Sequence, residues 1–232
     1  MKDYPHIFFD LDHTLWDFNH NSMLAICDIM AETGVDQQVD PQEFVKHYRA
    51  VNSKYWAMYR EGKLEKSILR TIRFEKALEQ FGIKDRELSE TFASRYIEIS
   101  PRKTTLVEGT IPLLDGLIER DVKLHVITNG FEEVQHIKLN QSKLSHYFDV
   151  VLISEKVGQR KPHPIVFEEA LAQAGARAEE SLMVGDNLEV DILGAKQVGM
   201  DQAYYNPDGL QHDEDITFEM EFLHELKNWL RV

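Results

Sequence analysis

Short apolar runs bounded by polar residues recur along the chain. Four of them predict buried strands, at residues 6–9, 123–127, 148–154 and 182–184, and a weaker fifth lies at 202–205. Apolar residues recur at helical spacing over residues 110–120, 131–144, 164–174 and 188–198. Strands that alternate with helices are typical of an α/β protein with a doubly wound parallel sheet. The amphipathic stretch 218–230 predicts a closing helix.

Residues 18–102 follow a different pattern. They carry many aromatic residues at helical spacing and no convincing strand, and Gly34, Gly62 and Gly82 lie where helices would end. We therefore expect three or four helices inserted after the first strand. This gives a catalytic core of residues 1–17 and 103–232 and a helical cap domain of residues 18–102. An all-helical insertion over the carboxyl edge of a sheet is well placed to act as a lid.

The composition of the chain restricts which partners the protein can bind and indicates the cellular compartment in which it works. A chain of 232 residues is long enough for one core with a smaller cap, and its formal net charge of −14 argues against a nucleic-acid polymer as partner. No apolar stretch approaches about 18 residues, so no membrane span is expected. The single Cys27 fits a reducing compartment, and residues 1–3 lead directly into a strand without room for a signal peptide, so we expect a cytoplasmic protein. The oligomeric state is left open.

Two acids follow the first predicted strand. Asp10 and Asp12 are spaced i, i+2, with Thr14 two residues further on. In open α/β sheets the chemistry collects at the carboxyl ends of the strands. Two neighbouring carboxylates are costly there unless a positive group lies between them. The pair therefore indicates a nucleophile and a proton shuttle with a divalent metal as counter-ion.

Polar residues also follow three other predicted strands. Thr128-Asn129-Gly130 follows the strand at 123–127, Lys161-Pro162 follows the strand at 148–154, and Gly185-Asp186-Asn187 with Asp191 follows the strand at 182–184. Each has an ordinary explanation when taken alone: a turn, a solvated lysine, a helix N-cap and a solvated helix residue. All of them should nevertheless reach the same edge of the sheet.

The joint order of these motifs resembles the haloacid dehalogenase (HAD) superfamily. Asp-x-Asp-x-Thr, then Thr, then Lys-Pro, then Gly-Asp-x-x-x-x-Asp covers residues 5–17 and 103–205. The resemblance implies a Rossmann-like core, and the helical insertion resembles the C1 cap of that superfamily.

The resemblance also implies roles for individual residues. Asp10 would attack phosphorus and form an aspartyl-phosphate, Asp12 would act as acid and base, and Lys161 would neutralise the charge that accumulates. Mg²⁺ would bind through the Asp10 carboxylate, the backbone carbonyl of Asp12 and the Asp186 carboxylate. The phosphate would contact Thr14, Thr128, Asn129 and Lys161, with support from Asn187 and Asp191.

Further phrases resemble one branch of the superfamily. Asp12 argues for phosphate chemistry, because dehalogenases proper lack this acid. Residues 127–131, 147–149, 154–158 and the cap segment 50–62 resemble a bacterial 5'-nucleotidase branch that hydrolyses pyrimidine and noncanonical nucleoside monophosphates. The expected partner is a small phosphorylated metabolite. Most cap aromatics are expected to pack in a core, and the candidates for contact with the base are Trp16, Phe18, Asn52, Trp56 and Arg60.

Three alternatives remain open. A small sugar-phosphate or phosphoglycolate phosphatase would share all the core motifs. A phosphosugar mutase of the same fold would need a cap that excludes water. A phospho-acceptor signalling module also uses an Asp, a Thr and a Lys on a parallel sheet, but it places the acceptor on a middle strand and lacks an inserted cap. Multiple turnovers would exclude the signalling module.

Overall fold

The computed structural model of the protein describes residues 2–232. It contains two compact units: one runs to Phe18 and resumes over Thr104–Val232, and the other is Asn19–Lys103. The strands are β1 (His6–Phe9), β2 (Lys123–Thr128), β3 (Phe148–Ile153), β4 (Ser181–Gly185), β5 (Asp201–Tyr205) and β6 (Phe218–Met220). The helices are α1 (Phe18–Thr33), α2 (Pro41–Arg60), α3 (Lys66–Glu79), α4 (Arg86–Ile99), α5 (Thr110–Ile118), α6 (Glu132–Gln141), α7 (Pro164–Ala174), α8 (Gly194–Gln197) and α9 (Leu223–Leu230).

The six strands form one parallel sheet in the order β3-β2-β1-β4-β5-β6. The predicted α/β class with a doubly wound sheet is confirmed, and all five predicted strands are present. Strands β2 and β4 lie on opposite sides of β1, so the strand order reverses there. Such a reversal of strand order opens a crevice at the carboxyl ends of the strands, where ligands bind in open α/β sheets.

Strand β1 lies at the centre of the sheet and is covered on both faces. Ile7 and Phe9 point to the face that α5 and α9 cover, where Leu113 and Leu226 join the same cluster. Phe8 points to the opposite face, with Phe167 of α7. Successive strand side chains alternate between faces, so a strand with helices on both faces is apolar throughout.

The prediction of one closing helix over 218–230 is wrong in its first part. Phe218–Met220 forms the sixth strand, paired in parallel with β5, and α9 begins only at Leu223. The side chain of Glu225 accepts the backbone N–H of Phe222 at 2.8 Å, which stabilises the start of that helix. Three residues are too few for a period of two to be distinguished from a helical period.

The unit Asn19–Lys103 is built from helices and contains no strand in its described residues. Gly34, Gly62 and Gly82 lie just after the ends of α1, α2 and α3, as predicted, and each has a positive φ. Aromatic residues from α2, α3 and α4 form much of its core and pack with aliphatic side chains from α1 and α3; the buried aromatics of this cluster are Phe44, Tyr48, Phe74, Phe92 and Tyr96. Within residues 2–232 we find no helix with the length and apolar character needed to cross a bilayer.

Candidate active site

Asp10 lies where three strand ends meet. In the sheet register, Phe9 pairs with Val126 of β2 on one side and with Val184 of β4 on the other. The backbone N–H of Asp10 donates to the carbonyl of Val184 at 2.8 Å, which extends the strand pairing by one residue. The carboxylate therefore stands at the carboxyl edge of the sheet, as the sequence pattern predicted.

Lys161 is buried and contacts strand β2 and the segments that follow β1 and β4. Its Nζ lies 2.6 Å from Oδ1 of Asp10, 2.7 Å from Oδ1 of Asp191 and 2.6 Å from the carbonyl oxygen of Ile127. The ammonium donates hydrogen bonds to Asp10 and to the Ile127 carbonyl, and it forms an ion pair with Asp191. Burial alone would lower the pKa of Lys161, but the charges of Asp10 and Asp191 outweigh it and raise that pKa above its usual range. The ordinary explanation, a solvated surface lysine, does not apply here.

Asp191 reaches this cluster because Gly185 has no side chain. A Cβ on Gly185 would lie 2.5 Å from Cβ of Asp191, which is closer than real Cβ contacts. Oδ2 of Asp191 accepts the backbone N–H of Asn187 at 3.1 Å. The side chain of Asn187 in turn accepts the N–H of Val190 and caps the π-helical turn Leu188–Leu193. The N-cap of this helical turn is therefore Asn187 and not Asp186, so the predicted ordinary explanation of Asp186 as an N-cap does not apply.

The site holds more negative than positive charge. Burial raises the pKa of the Asp10 carboxyl to about 7; the charges of Asp191 and Asp12 also raise it, whereas Lys161 lowers it. Burial, followed by the charges of Asp191 and Asp10, raises the pKa of Asp186 well above its usual range. Ionised carboxyl groups crowded in this way need a further cation close by.

A divalent metal fits this donor set. Asp10, Asp186 and Asp191 each offer a carboxylate oxygen, and these oxygens lie within 4.8 Å of one another. Three carboxylates and one ammonium leave two negative charges, which one divalent cation would balance. Carboxylate oxygens are the ligands that Mg²⁺ prefers. Asp10, Asp186 and Asp191 could therefore hold the ion, and the backbone carbonyl of Asp12 as a further ligand stays a prediction.

Three predicted phosphate ligands make protein contacts in the structure. The hydroxyl of Thr14, fully buried, donates to Oδ1 of Asp186 at 3.2 Å. The side chain of Asn129 forms two hydrogen bonds with the backbone of Lys161: Nδ2 donates to the carbonyl of Lys161, and Oδ1 accepts its N–H. The Thr128 hydroxyl accepts the N–H of Gly130 at 3.1 Å. The phosphate contacts of all three residues stay predictions.

Asp12 contacts two residues that were not among those predicted from the sequence. Nζ of Lys138 lies 2.5 Å from Oδ1 of Asp12, and Nε2 of Gln135 donates to Oδ2 at 3.0 Å. Both belong to α6, one helical turn apart. A signal was present in the sequence, because the buried face of α6 is largely polar. Its buried residues are Gln135, Lys138 and Leu139, spaced i, i+3 and i+4, and the buried Ser142 continues the same spacing just after the helix ends.

The other candidates for substrate contact fall into both units. Trp16 is fully buried in the unit that contains β1, and Phe18 is half-buried with its ring at 6.1 Å from that of Trp16. Trp56 and Arg60 are partly exposed on α2, where Trp56 packs edge-to-face on Tyr59.

Asn52 is the most buried polar candidate in the helical unit. Its Oδ1 accepts Nη1 of Arg73 at 2.9 Å and the hydroxyl of Tyr48 at 3.3 Å. Its acceptor is thus directed into the helical unit. Whether any of these residues contacts a substrate stays a prediction.

Comparison with known proteins agrees with this geometry. The family model described as "Haloacid dehalogenase-like hydrolase" matches residues 7–204. The pyrimidine 5'-nucleotidase PynA of Streptococcus pneumoniae is 36% identical over 211 residues, which is 90% of this chain and 86% of that protein. The pyrimidine 5'-nucleotidase YjjG of Escherichia coli is 34% identical over 227 residues, 97% of this chain and 96% of that protein.

A solved structure is similar over the whole chain. It is the HAD-hydrolase YfnB from Bacillus subtilis bound to magnesium, with a TM-score of 0.89, 25% identity and complete coverage of both chains. The family model covers most of the chain, including every motif assembled around Asp10. The chain is therefore an enzyme and belongs to the haloacid dehalogenase-like hydrolase family.

Proposed function

We propose that this phosphatase is a magnesium-dependent 5'-nucleotidase that hydrolyses pyrimidine or noncanonical nucleoside monophosphates through an aspartyl-phosphate on Asp10. The observation that carries the proposal is the cluster of Asp10, Asp186 and Asp191 around the buried ammonium of Lys161. It combines a candidate nucleophile with a place for a divalent cation. The similarity to two named pyrimidine 5'-nucleotidases over 90% or more of the chain supports the substrate class.

The reaction would take two steps at phosphorus. In the first, an oxygen of Asp10 bonds to phosphorus, the bond from phosphorus to the 5'-oxygen breaks, and Asp12 gives its proton to that oxygen. In the second, water attacks the same phosphorus, Asp12 takes the proton of the water, and the bond to Asp10 breaks. The products are a nucleoside and inorganic phosphate, and Asp10 and Asp12 return to their starting states. Bound Mg²⁺ would stabilise the negative charge on the phosphoryl oxygens.

Two of the chain's own donors would act on the phosphoryl group. The pKa of Lys161 is raised by Asp10 and Asp191 against the effect of burial, so its ammonium keeps its charge beside the reacting oxygen. The Thr128 hydroxyl accepts hydrogen bonds from Gly130 and from Gln135, at 3.1 and 2.6 Å. Since a hydroxyl has two acceptor positions and one proton, the proton of Thr128 is left to be donated to a phosphoryl oxygen.

Selectivity would lie outside these residues. Every phosphomonoester shares the phosphoryl group, so Asp10, Lys161 and Thr128 cannot tell a nucleotide from a sugar phosphate. We assign that discrimination to the helical unit Asn19–Lys103, with Trp56 as the first candidate for stacking on a base. The formal charge of −14 favours a small phosphorylated metabolite over a nucleic-acid polymer, and the single cysteine favours the cytoplasm.

A phosphate-release screen tests the proposal. The purified protein is offered nucleoside monophosphates, sugar phosphates, phosphoglycolate and p-nitrophenyl phosphate, each with Mg²⁺ and with a chelator. We expect multiple turnovers, the highest kcat/KM on a pyrimidine nucleotide, and loss of activity in the chelator.

Each alternative gives a different result in the same screen. Faster hydrolysis of sugar phosphates than of every nucleotide would reject the nucleotidase assignment but keep the phosphatase. Turnover that needs a bisphosphate activator would indicate a mutase. A stable phosphoryl-aspartate without turnover would indicate a signalling module, and full activity in the chelator would reject the metal.

A further inference from the structure

Helix α6 presents a buried lysine to the second acid of the site. Lys138 is 5% exposed, and lysine is seldom buried unless it is paired. Its Nζ lies 2.5 Å from Oδ1 of Asp12. On its other side the ammonium lies 4.3 Å from the ring centroid of Trp16 and 5.7 Å from that of Phe18. The cation is thus enclosed between a carboxylate and two aromatic faces, which compensates for its lost hydration.

Gln135 holds the other oxygen of the same carboxylate. Its Nε2 donates to Oδ2 of Asp12 at 3.0 Å and to the hydroxyl of Thr128 at 2.6 Å. A side-chain amide can donate only through its nitrogen, so Nε2 of Gln135 faces Asp12 and Oδ2 of Asp12 accepts the bond. The two hydrogens of that nitrogen therefore connect the candidate proton shuttle with a candidate phosphate ligand.

Gly130 makes room for this glutamine. A Cβ at position 130 would lie 2.2 Å from Nε2 and 2.3 Å from Cδ of Gln135. The glycine of the Thr-Asn-Gly sequence is therefore explained by the close approach of a side chain from α6. Any residue larger than glycine at 130 would displace the amide from Asp12 and from Thr128.

We propose that Gln135 and Lys138 are positioning residues that hold the Asp12 carboxylate for proton transfer to the leaving oxygen. This inference rests on the proposed function, in which Asp12 is the acid. Each carboxylate oxygen can accept about two hydrogen bonds, so the donors from α6 leave one lone pair on each oxygen for the transferred proton. The lysine and the glutamine act on the reaction only through Asp12.

This role has a consequence that depends on the leaving group. Departure of a ribose 5'-oxygen requires a proton, because an alkoxide is strongly basic. Departure of p-nitrophenolate requires little help, because the nitro group stabilises its negative charge. A poorly placed Asp12 should therefore slow a nucleotide far more than p-nitrophenyl phosphate. kcat/KM covers only the steps up to departure of the leaving group, so it isolates this effect from the common hydrolysis step.

The test compares kcat/KM of Lys138→Met and wild-type enzyme on uridine monophosphate and on p-nitrophenyl phosphate. General-acid catalysis contributes roughly 100-fold or more. We therefore expect kcat/KM on uridine monophosphate, divided by kcat/KM on p-nitrophenyl phosphate, to fall by at least about tenfold in the variant. Lys156→Met is the matched control, because Lys156 pairs with Glu132 of the same helix at 3.0 Å and is half exposed. Its ratio should equal that of the wild type.

Two further variants test the same role of Asp12 through Gln135. Gln135→Met removes the other donor and should shift the ratio in the same direction. Gly130→Ala should lower it as well, and adding Gln135→Met to Gly130→Ala should cause no further loss, since both changes act on one contact.

Three outcomes would overturn the inference. An equal fall for both substrates would mean that Lys138 acts on the phosphoryl group itself. An unchanged ratio in folded variants would mean that Asp12 does not need these donors, and loss of folding in both Lys138→Met and Gln135→Met would assign the two residues to stability. A wild-type enzyme that releases no phosphate from either substrate would instead reject the proposed function.

Discussion

Asn129 and the backbone of Lys161 exchange two hydrogen bonds. Nδ2 of Asn129 donates to the carbonyl of Lys161 at 3.0 Å, and Oδ1 accepts the N–H of Lys161 at 2.9 Å. These residues lie in loops after different strands, 32 residues apart in the chain. The asparagine side chain thus fixes the peptide groups that carry the buried lysine, and the position of the ammonium depends on it.

Asn129→Ala should therefore lower both stability and activity. Each lost hydrogen bond is worth about 1 kcal/mol, so we expect the free energy of unfolding to fall by roughly 1–3 kcal/mol without any substrate present. A displaced Lys161 should lower kcat by about tenfold or more on every phosphomonoester. Denaturant unfolding and phosphate release measure the two effects. Weaker substrate binding with unchanged stability would indicate that Asn129 contacts only the phosphate.

Asp10→Asn should abolish turnover and leave the fold intact. The amide has almost the same shape as the carboxylate, but it is a poor nucleophile and carries no charge. Phosphate release and circular dichroism measure the two effects. Asp28→Asn is the control, because Asp28 forms an exposed ion pair with Lys103 in the helical unit and should not affect activity. Retention of a tenth of the wild-type rate would contradict the assignment of Asp10 as nucleophile.

Magnesium should stabilise the protein more at pH 8 than at pH 5.5. The pKa of Asp10 is raised by burial to about 7, above its unfolded value, so without metal this group contributes stability below pH 4 that is lost as the pH rises through 7. A metal binds the ionised carboxylates, and protons compete with it. Thermal unfolding with Mg²⁺ and with a chelator at each pH measures the difference.

Asp186→Asn is the control for the metal effect. It removes one charge of the proposed metal ligands, so most of the stabilisation by Mg²⁺ should disappear at pH 8. Equal stabilisation of the wild-type protein at both pH values would contradict the placement of the ion at Asp10 and Asp186.

His125 should make the protein less stable in acid. Burial, then the neighbouring His6 and Lys123, lower the pKa of His125 to about 4, while Asp149 opposes them. A histidine whose folded pKa is depressed contributes stability above pH 6.5 that is lost as the pH falls. The interval from 6.5 to about 4 corresponds to roughly 3 kcal/mol. Unfolding free energies between pH 7 and pH 4.5 should decline less steeply in His125→Asn, and an unchanged slope would contradict this cause.

Trp56→Leu should erode the preference for nucleotides. Stacking of a base on an aromatic ring is worth about 1–3 kcal/mol, so kcat/KM on uridine monophosphate should fall roughly 5- to 150-fold. The value on p-nitrophenyl phosphate should change much less. Trp229→Leu is the control, because Trp229 is also partly exposed but stacks on Phe218 of β6. Equal losses on both substrates would remove Trp56 from base recognition.

Local patterns in the sequence were sufficient for the fold class and for the acid pair Asp10 and Asp12. Short apolar runs predict buried strands, and apolar residues that recur every 3.6 positions predict helices. Polar residues that follow the strands lie at one edge of the sheet, because the carboxyl ends of parallel strands lie at the same edge. Lys161 and Asp186 each have an ordinary local explanation, and they were singled out only by the joint order of the motifs after successive strands, which resembles the HAD superfamily.

Tertiary structure alone decided which partners these residues have. That Gln135 and Lys138 enclose Asp12 depends on which face of α6 packs against the loop after β1, and Asp12 lies more than a hundred residues away in the chain. The contact of Asn129 with the Lys161 backbone likewise joins two separate loops. Strand β6 was missed because three residues show no period and gain their structure from pairing with β5. Long-range pairing is set by packing, and a local pattern of apolar and polar residues does not specify it.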